Sequence, residues 1–285
     1  MAPSPEPSYS TGLVWFRRDL RANDHAALYR ALTQCRQVHC VFVFDREILD
    51  LLPQADRRVE FIRESLVELD AALRALGQHP HAGLIARHAI ASDAVPALAQ
   101  ALQAQAVYAN HDDEPQALQR DSLVRTRLAG AGIAFHTFKD HILLERNEVL
   151  TQTGTPYSVF TPYKNAWLRN IDAFQMQSYA IERHAHRLAP RPAGECLDIP
   201  SLSALGFEAT PPGPPRLPTG SSGAMRLFDD FLHRIERYHD TRDFPSVKGP
   251  SYLSVHLRFG TISPRLLARS AHALAQAGNP GPPPG

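Results

Sequence analysis

Leu13-Val14-Trp15-Phe16-Arg17-Arg18-Asp19-Leu20-Arg21 passes from four apolar residues straight into a charged turn. The apolar run reads as a buried strand. The turn then marks the carboxyl end of that strand, where open α/β sheets bind their ligands. The plainer reading of the charges is a salt-bridged strand end. Outward from this stretch the same pattern recurs at Val38 to Phe44, Gly83 to Ala86, Ala106 to Ala109 and Ile133 to Phe138. Helical periodicity fills the intervals. Asn23-Asp24 can cap a helix through Leu28 and Leu32, and Phe61, Ile62, Leu66, Leu69, Leu73 and Leu76 form a stripe that Gly77 ends. Ser92 and Asp93 offer an N-cap ahead of Val95, Leu98 and Leu102, and Pro115 suits the first turn of a helix carrying Leu118 and Leu123. Alternating strands and helices predict an α/β fold over 11–140, a doubly wound, Rossmann-like parallel sheet covered on both faces. No G-x-G-x-x-G follows the first strand, so the usual dinucleotide fingerprint is missing.

Beyond that unit the composition changes. Prolines recur from His184 to Pro218, which reads as a surface linker unable to sustain a helix or central strand. The expected organisation is a disordered 1–10, the α/β unit 11–140, a connecting segment and Pro-rich linker 141–223, and the start of a helical domain at 224–285. Leu227, Phe228, Phe231, Leu232, Ile235 and Tyr238 make an apolar helical face there, expected to stay exposed for want of partners. The Pro/Gly-rich end after Gly278 cannot extend a helix.

Bulk charge excludes a uniformly basic nucleic-acid binder: 30 Lys and Arg stand against 29 Asp and Glu, so any such surface is a local patch. Three cysteines, Cys35, Cys40 and Cys196, are too few and too odd for a disulfide framework and point to a reducing cytoplasm. No apolar run reaches membrane-spanning length, and no membrane association is expected. None of the 14 histidines pairs with Cys or carboxylates at metal-site spacing, and neither a P-loop nor a G-x-S-x-G elbow is present.

The opening stretch, taken with Asp24 and Ala27-Leu28, resembles the W-F-R-x-D-L-R motif of the DNA photolyase/cryptochrome family. Four further segments agree with that family in order and spacing: Tyr108 to Pro115, Tyr157 to Trp167, Tyr238 to Pro245 and Gly249 to Arg265. Read without the resemblance, Gly249 to Arg265 is a cap plus amphipathic helix, and Tyr238 is the end of an apolar stripe. The resemblance implies light-dependent DNA repair, in which cyclobutane pyrimidine dimers are split by electron transfer from photoexcited reduced FAD. It thereby implies a deoxyribodipyrimidine photo-lyase, a carbon–carbon lyase, most like a bacterial class I form lacking most of its C-terminal FAD-binding domain. Tyr238, Ser251, Tyr252, Leu253 and Ser254 match FAD contacts, and Arg242 matches a contact to DNA phosphate. Asp112 and Glu114 match positions that hold an antenna chromophore, methenyltetrahydrofolate or a deazaflavin; on their own they read equally as an acidic turn capping the Pro115 helix. The chain departs from the family at Pro250, where a hydroxyl residue is usual, and at Tyr252, where many relatives carry Arg or Gly. The implied partner is damaged double-stranded DNA, and the implied state a monomer. No catalytic residue is expected within these 285 residues. Two alternatives are a cryptochrome-like blue-light receptor and an inactive stand-alone α/β antenna-fold module.

Overall fold

The first strand, β1 (Tyr9–Phe16), is buried from Thr11 onward and forms the centre of a five-stranded sheet. Its side chains alternate between two cores, as strand geometry requires. Val14 and Phe16 pack with Leu28, Leu32, Leu66 and Leu73 on one face, while Leu13 and Trp15 pack with Val95, Val107, Val124 and Leu128 on the other. A computed structural model describes residues 6–211 and 216–277.

In chain order, β1 is followed by α1 (Ala26–Gln34), β2 (Cys35–Asp45), α2 (Arg46–Leu49), α3 (Arg57–Gly77), β3 (Leu84–Ala89), α4 (Ala91–Ala101), β4 (Ala106–Asn110), α5 (Pro115–Gly130) and β5 (Ala134–Phe138). All pairings are parallel and the strand order is β3-β2-β1-β4-β5. This is the expected doubly wound α/β architecture. The chain moves to one side of β1 with β2 and β3, then to the other with β4 and β5. That reversal opens a crevice beyond the carboxyl ends of β1 and β4. Gly12 permits close strand packing, since a Cβ there would meet Cys35 Sγ at 2.5 Å.

Several local expectations need correction. Asp24 does not cap α1, because its carboxylate is engaged by Arg265 and Ser263; His25 caps instead, its Nδ1 accepting from Leu28 N at 3.0 Å. Nor do Ser92 and Asp93 cap α4, which begins earlier. Asp45 Oδ1, from the end of β2, accepts from Ala91 N at 3.2 Å. Gly77 is the last helical residue of α3, and Gln78 takes the left-handed cap at φ 50°. The segment expected to be disordered is already strand at Tyr9, which pairs with Cys35 and meets His136 Nε2 at 3.1 Å; residues 1–5 lie outside the described residues.

The proline-rich segment is a strap rather than a free linker. Ile181–Arg187 forms a 3-10 turn, Leu188 bridges to Val38 of β2, and Ile199, Leu205 and Phe207 join the core on the α1/α3 side. Buried Arg191 donates to Asp70 at 3.2 Å and to the Leu84 carbonyl at 3.0 Å, and Thr210 Oγ1 donates to Glu60 at 2.8 Å. Proline forbids regular backbone pairing but leaves intervening side chains free to pack. Pro212, Gly213, Pro214 and Pro215 lie outside the described residues, as does the low-complexity end from Gly278.

The remaining helices are α6 (Phe160–Asn170), α7 (Gly220–Leu232), α8 (Tyr238–Thr241), α9 (Ser254–Phe259) and α10 (Pro264–Ala277). Helix α7 starts before Ala224 because Ser65 and Glu68 of α3 accept from Gly220 N and Ser222 N at 3.1 and 2.7 Å. Ala224, Phe228, Leu253 and Ile262 form a small core. The apolar face expected to be open is half covered at Leu227, Phe231 and Ile235; Phe244, Tyr252 and Leu257 carry the larger exposure. No helix among the described residues is long and apolar enough to cross a membrane.

Candidate functional site

The charged turn after β1 is the junction of the molecule. Leu20 N donates to the Phe259 carbonyl at 3.0 Å, Arg18 Nε to the Arg258 carbonyl at 3.2 Å and Arg21 to the Gly260 carbonyl at 3.1 Å. One step deeper, Arg21 and Arg265 grip Asp140 from both sides at 2.5 and 2.8 Å, and Arg265 also holds Asp24 at 2.9 Å. All four side chains are buried. Burial acts to raise the Asp140 carboxyl, but the charges of Arg21, His25 and Arg265 hold it well below the usual carboxylate range. Asp19 is similarly placed: burial opposes ionisation, yet His25 and the Arg17 N–H bring it down to about 2. The salt-bridged reading of the strand end is therefore correct for Arg21, and with Asp24, Asp140 and Arg265 it ties the α9–α10 region to the sheet.

Arg17 and Arg18 turn toward the crevice. A cavity of about 550 Å³ lies there, lined by Trp15, Phe42, Phe44, Leu49, Leu123 and Phe259 among apolar groups. Arg17 and Arg120 both sit over the Trp15 ring, with guanidinium carbons 4.6 and 5.1 Å from its centroid. Asp112 and Glu114 line this cavity, each 3.0 Å from Arg18 Nη1, and Glu114 also pairs with Arg258. The Arg258 bond is the chief cause holding the Glu114 carboxyl below its ordinary value. Sequence reasoning missed Asp45 and Arg120. Asp45 Oδ2 and Arg120 Nε are buried with no hydrogen-bond partner among the described residues, and Arg120 Nη1 lies 3.5 Å from Asp45 Oδ2. Burial, then the charge of Arg17, lowers the Arg120 guanidinium. The available signal was the position of Asp45 at the end of a buried apolar run.

The segment resembling a flavin loop sits at the other end of α9. Arg234 Nη1 donates to the carbonyls of Lys248, Gly249 and Pro250 at 3.0, 2.6 and 2.9 Å, folding the loop around one guanidinium. Tyr252 follows in the left-handed region at φ 57°. Leu253 is buried in the small core, whereas Ser254 is exposed and Ser251 half-buried. The N–H groups of Ser254, Val255 and His256 have no partner among the described residues. These hydroxyls and free amides suit a phosphate. Tyr238 and Tyr252 are 39% and 44% exposed, and Tyr238 packs edge-on to Phe231. Arg242 is exposed and 3.6 Å from Asp243. No group of three or more His, Cys, Asp or Glu among the described residues is arranged to hold a metal.

His256, in the middle of α9, is fully buried against Phe61, and its Nδ1 is 2.7 Å from Thr261 Oγ1. Burial lowers it from 6.5 to about 4. The unfolded chain therefore binds the His256 proton as pH falls through 6.5, while the folded chain binds it only near 4. The contribution is complete above the unfolded value and is lost on acidification, on the order of 3 kcal/mol in full. Urea unfolding is expected to show the stability gap between the native chain and His256→Phe narrowing from pH 7.5 to pH 5 (about 2 kcal/mol at most over that range). A pH-independent gap would contradict this assignment.

The DNA photolyase family model matches residues 12–184. The deoxyribodipyrimidine photo-lyase of Halobacterium salinarum is 34% identical over 280 residues, covering 92% of this chain and 54% of that protein. The crystal structure of a bacterial class III photolyase from Agrobacterium tumefaciens superposes with a TM-score of 0.77 at 24% identity, over 97% of this chain and 56% of the other. An archaeal photolyase from Sulfolobus tokodaii, solved with two FAD molecules, gives 0.68 at 24% identity, over 92% and 55%. The chain thus spans about half the length of the photolyases it matches. With the family model running from the β1 motif through β5 and on into the strap, the chain belongs to the DNA photolyase family.

Proposed function

We propose that this chain carries the antenna pocket and the flavin-phosphate loop of a light-dependent DNA-repair enzyme that splits cyclobutane pyrimidine dimers. The observation that carries the reading is α9, a single six-residue helix with a phosphate-ready loop at one end and the wall of the crevice cavity at the other. The sheet unit, from β1 through β5, is the antenna unit, the strap is the connection, and α7 to α10 are the start of the flavin-binding helices.

Bound reduced FAD supplies an electron donor that light can excite. The part of the protein is positioning. Ser251, Ser254 and the adjacent amides take the phosphates, buried Leu253 fixes the loop beneath them, and Tyr238 and Tyr252 offer apolar surface to the flavin. In the crevice, Asp112 and Glu114 accept hydrogen bonds from a pterin or deazaflavin antenna, with Leu123 and Phe259 among the apolar groups of the wall beside it. The Sulfolobus photolyase, for which a light-harvesting cofactor is implied, supports an antenna at this kind of fold. Arg242 contacts the phosphate of damaged duplex DNA, a sequence-independent and salt-dependent interaction.

The test is reconstitution with FAD, reduction, and blue-light illumination of ultraviolet-irradiated duplex. Bound flavin, released on denaturation, and light-dependent loss of dimers are expected. Flavin binding without dimer loss would favour the photoreceptor reading. Absence of flavin binding would reduce the chain to an antenna-fold module.

A further inference from the structure

A second cavity of about 550 Å³ shares no lining residue with the crevice. It lies between α1, the loop after β5 and residues 174–183. We propose that it binds a compact aromatic phosphate of the nucleoside monophosphate class. The volume falls within the range of small-molecule sites.

Charge is the first argument. Lys139 is neutralised by Glu148 at 2.6 Å, and Arg265 is committed to Asp24 and Asp140. Arg30 and Arg183 also line the cavity, are exposed, and have no acidic partner among the described residues. Two lining guanidinium groups without an acidic partner among the described residues present planar forks that match phosphate oxygens.

The aromatic groups supply the second argument. Tyr29 and Tyr179 stand 5.3 Å apart, and the Arg265 guanidinium covers Tyr179 at 4.8 Å. Tyr179 is held in place by its N–H, which donates to Asp24 at 3.0 Å. Phe174, on the rim, is 79% exposed. A ring entering here meets the exposed Phe174, while Arg30 and Arg183 line the same cavity and offer guanidinium forks to its phosphate.

The proposal does not rest on the flavin or antenna reading, and calorimetric titration of the chain with AMP, with inorganic phosphate as second probe, tests it separately. Saturable one-to-one AMP binding is expected, with phosphate weaker. Arg30→Glu with Arg183→Glu should weaken AMP by about tenfold or more without changing the melting temperature, since both side chains are exposed. Phe174→Ala should weaken AMP and leave phosphate unchanged. The serine loop also offers hydroxyls to a phosphate, so Ser251→Ala with Ser254→Ala is the control and should leave AMP affinity unaltered. No saturable heat with AMP overturns the proposal. So does AMP binding that survives the arginine pair and is lost in the serine pair.

Discussion

Asp140→Ala is expected to lower the unfolding free energy by about 3–5 kcal/mol, the cost of removing one member of a buried ion network. The substitution leaves buried Arg21 without a carboxylate and buried Arg265 with Asp24 alone. It also removes the acceptor for Ala26 N, 3.0 Å from Asp140 Oδ1 at the start of α1. The loss would therefore reach both the sheet unit and the α9–α10 region. Urea unfolding followed by fluorescence, with Trp15 in the crevice wall as reporter, measures it. Asp140→Asn keeps an acceptor for Ala26 N and should fall between the native chain and Asp140→Ala. Asp50→Ala breaks only the exposed Arg46–Asp50 pair and should cost about 0.5 kcal/mol or less. A loss at Asp140 no greater than at Asp50 would mean that the network is not holding the two regions together.

Gly260→Ala is the second large effect, about 2–5 kcal/mol from backbone strain and overpacking combined. Gly260 has φ 63°, and a Cβ there would meet the Arg18 carbonyl oxygen and lie 2.6 Å from Asp19 Cα. Neither neighbour is a flexible side-chain tip, so the seam itself must open. Gly154→Ala separates the two costs. Gly154 has φ 75° with nothing within 4 Å of a built Cβ, leaving only the backbone penalty of about 1 kcal/mol. Hydrogen exchange localises the damage: the Leu20 amide, bonded to the Phe259 carbonyl, should lose protection in Gly260→Ala and keep it in Gly154→Ala. Equal stability losses at the two glycines would show that the seam is loose.

These two positions mark how much of the molecule was legible in the sequence. The five strands and the sheet class were readable because each strand is a short apolar run between helical stripes, and that pattern is local. The strap was misjudged for an understandable reason. Prolines forbid regular hydrogen bonding, but they do not stop Ile199, Leu205 and Phe207 from entering the core. Asp24 looked like a helix cap because aspartate before an apolar stripe usually is one. Its carboxylate instead serves Arg265, far along the chain, and His25 takes over the cap.

The candidate site divides in the same way. Asp112, Glu114, Ser251 and Ser254 were singled out by resemblance, in two separate segments. That α9 joins both settings, through Arg258 and Phe259 on the crevice wall, emerged only from the folded chain. Asp45 and Arg120 were invisible beforehand because their meaning lies in meeting each other at 3.5 Å in the wall of the crevice, and such a meeting is a property of three dimensions.

By itself, then, the sequence determined the parallel α/β class, the strand-end position of the charged motif and the family resemblance. All three depend on residue order and periodicity within short windows. Tertiary structure alone decided which charges meet, which loops become walls and which arginines stay free. Asp140 and Arg265 are 125 residues apart, and an ion pair of that span leaves no periodic trace along the chain; it exists only where packing brings the two groups together out of water.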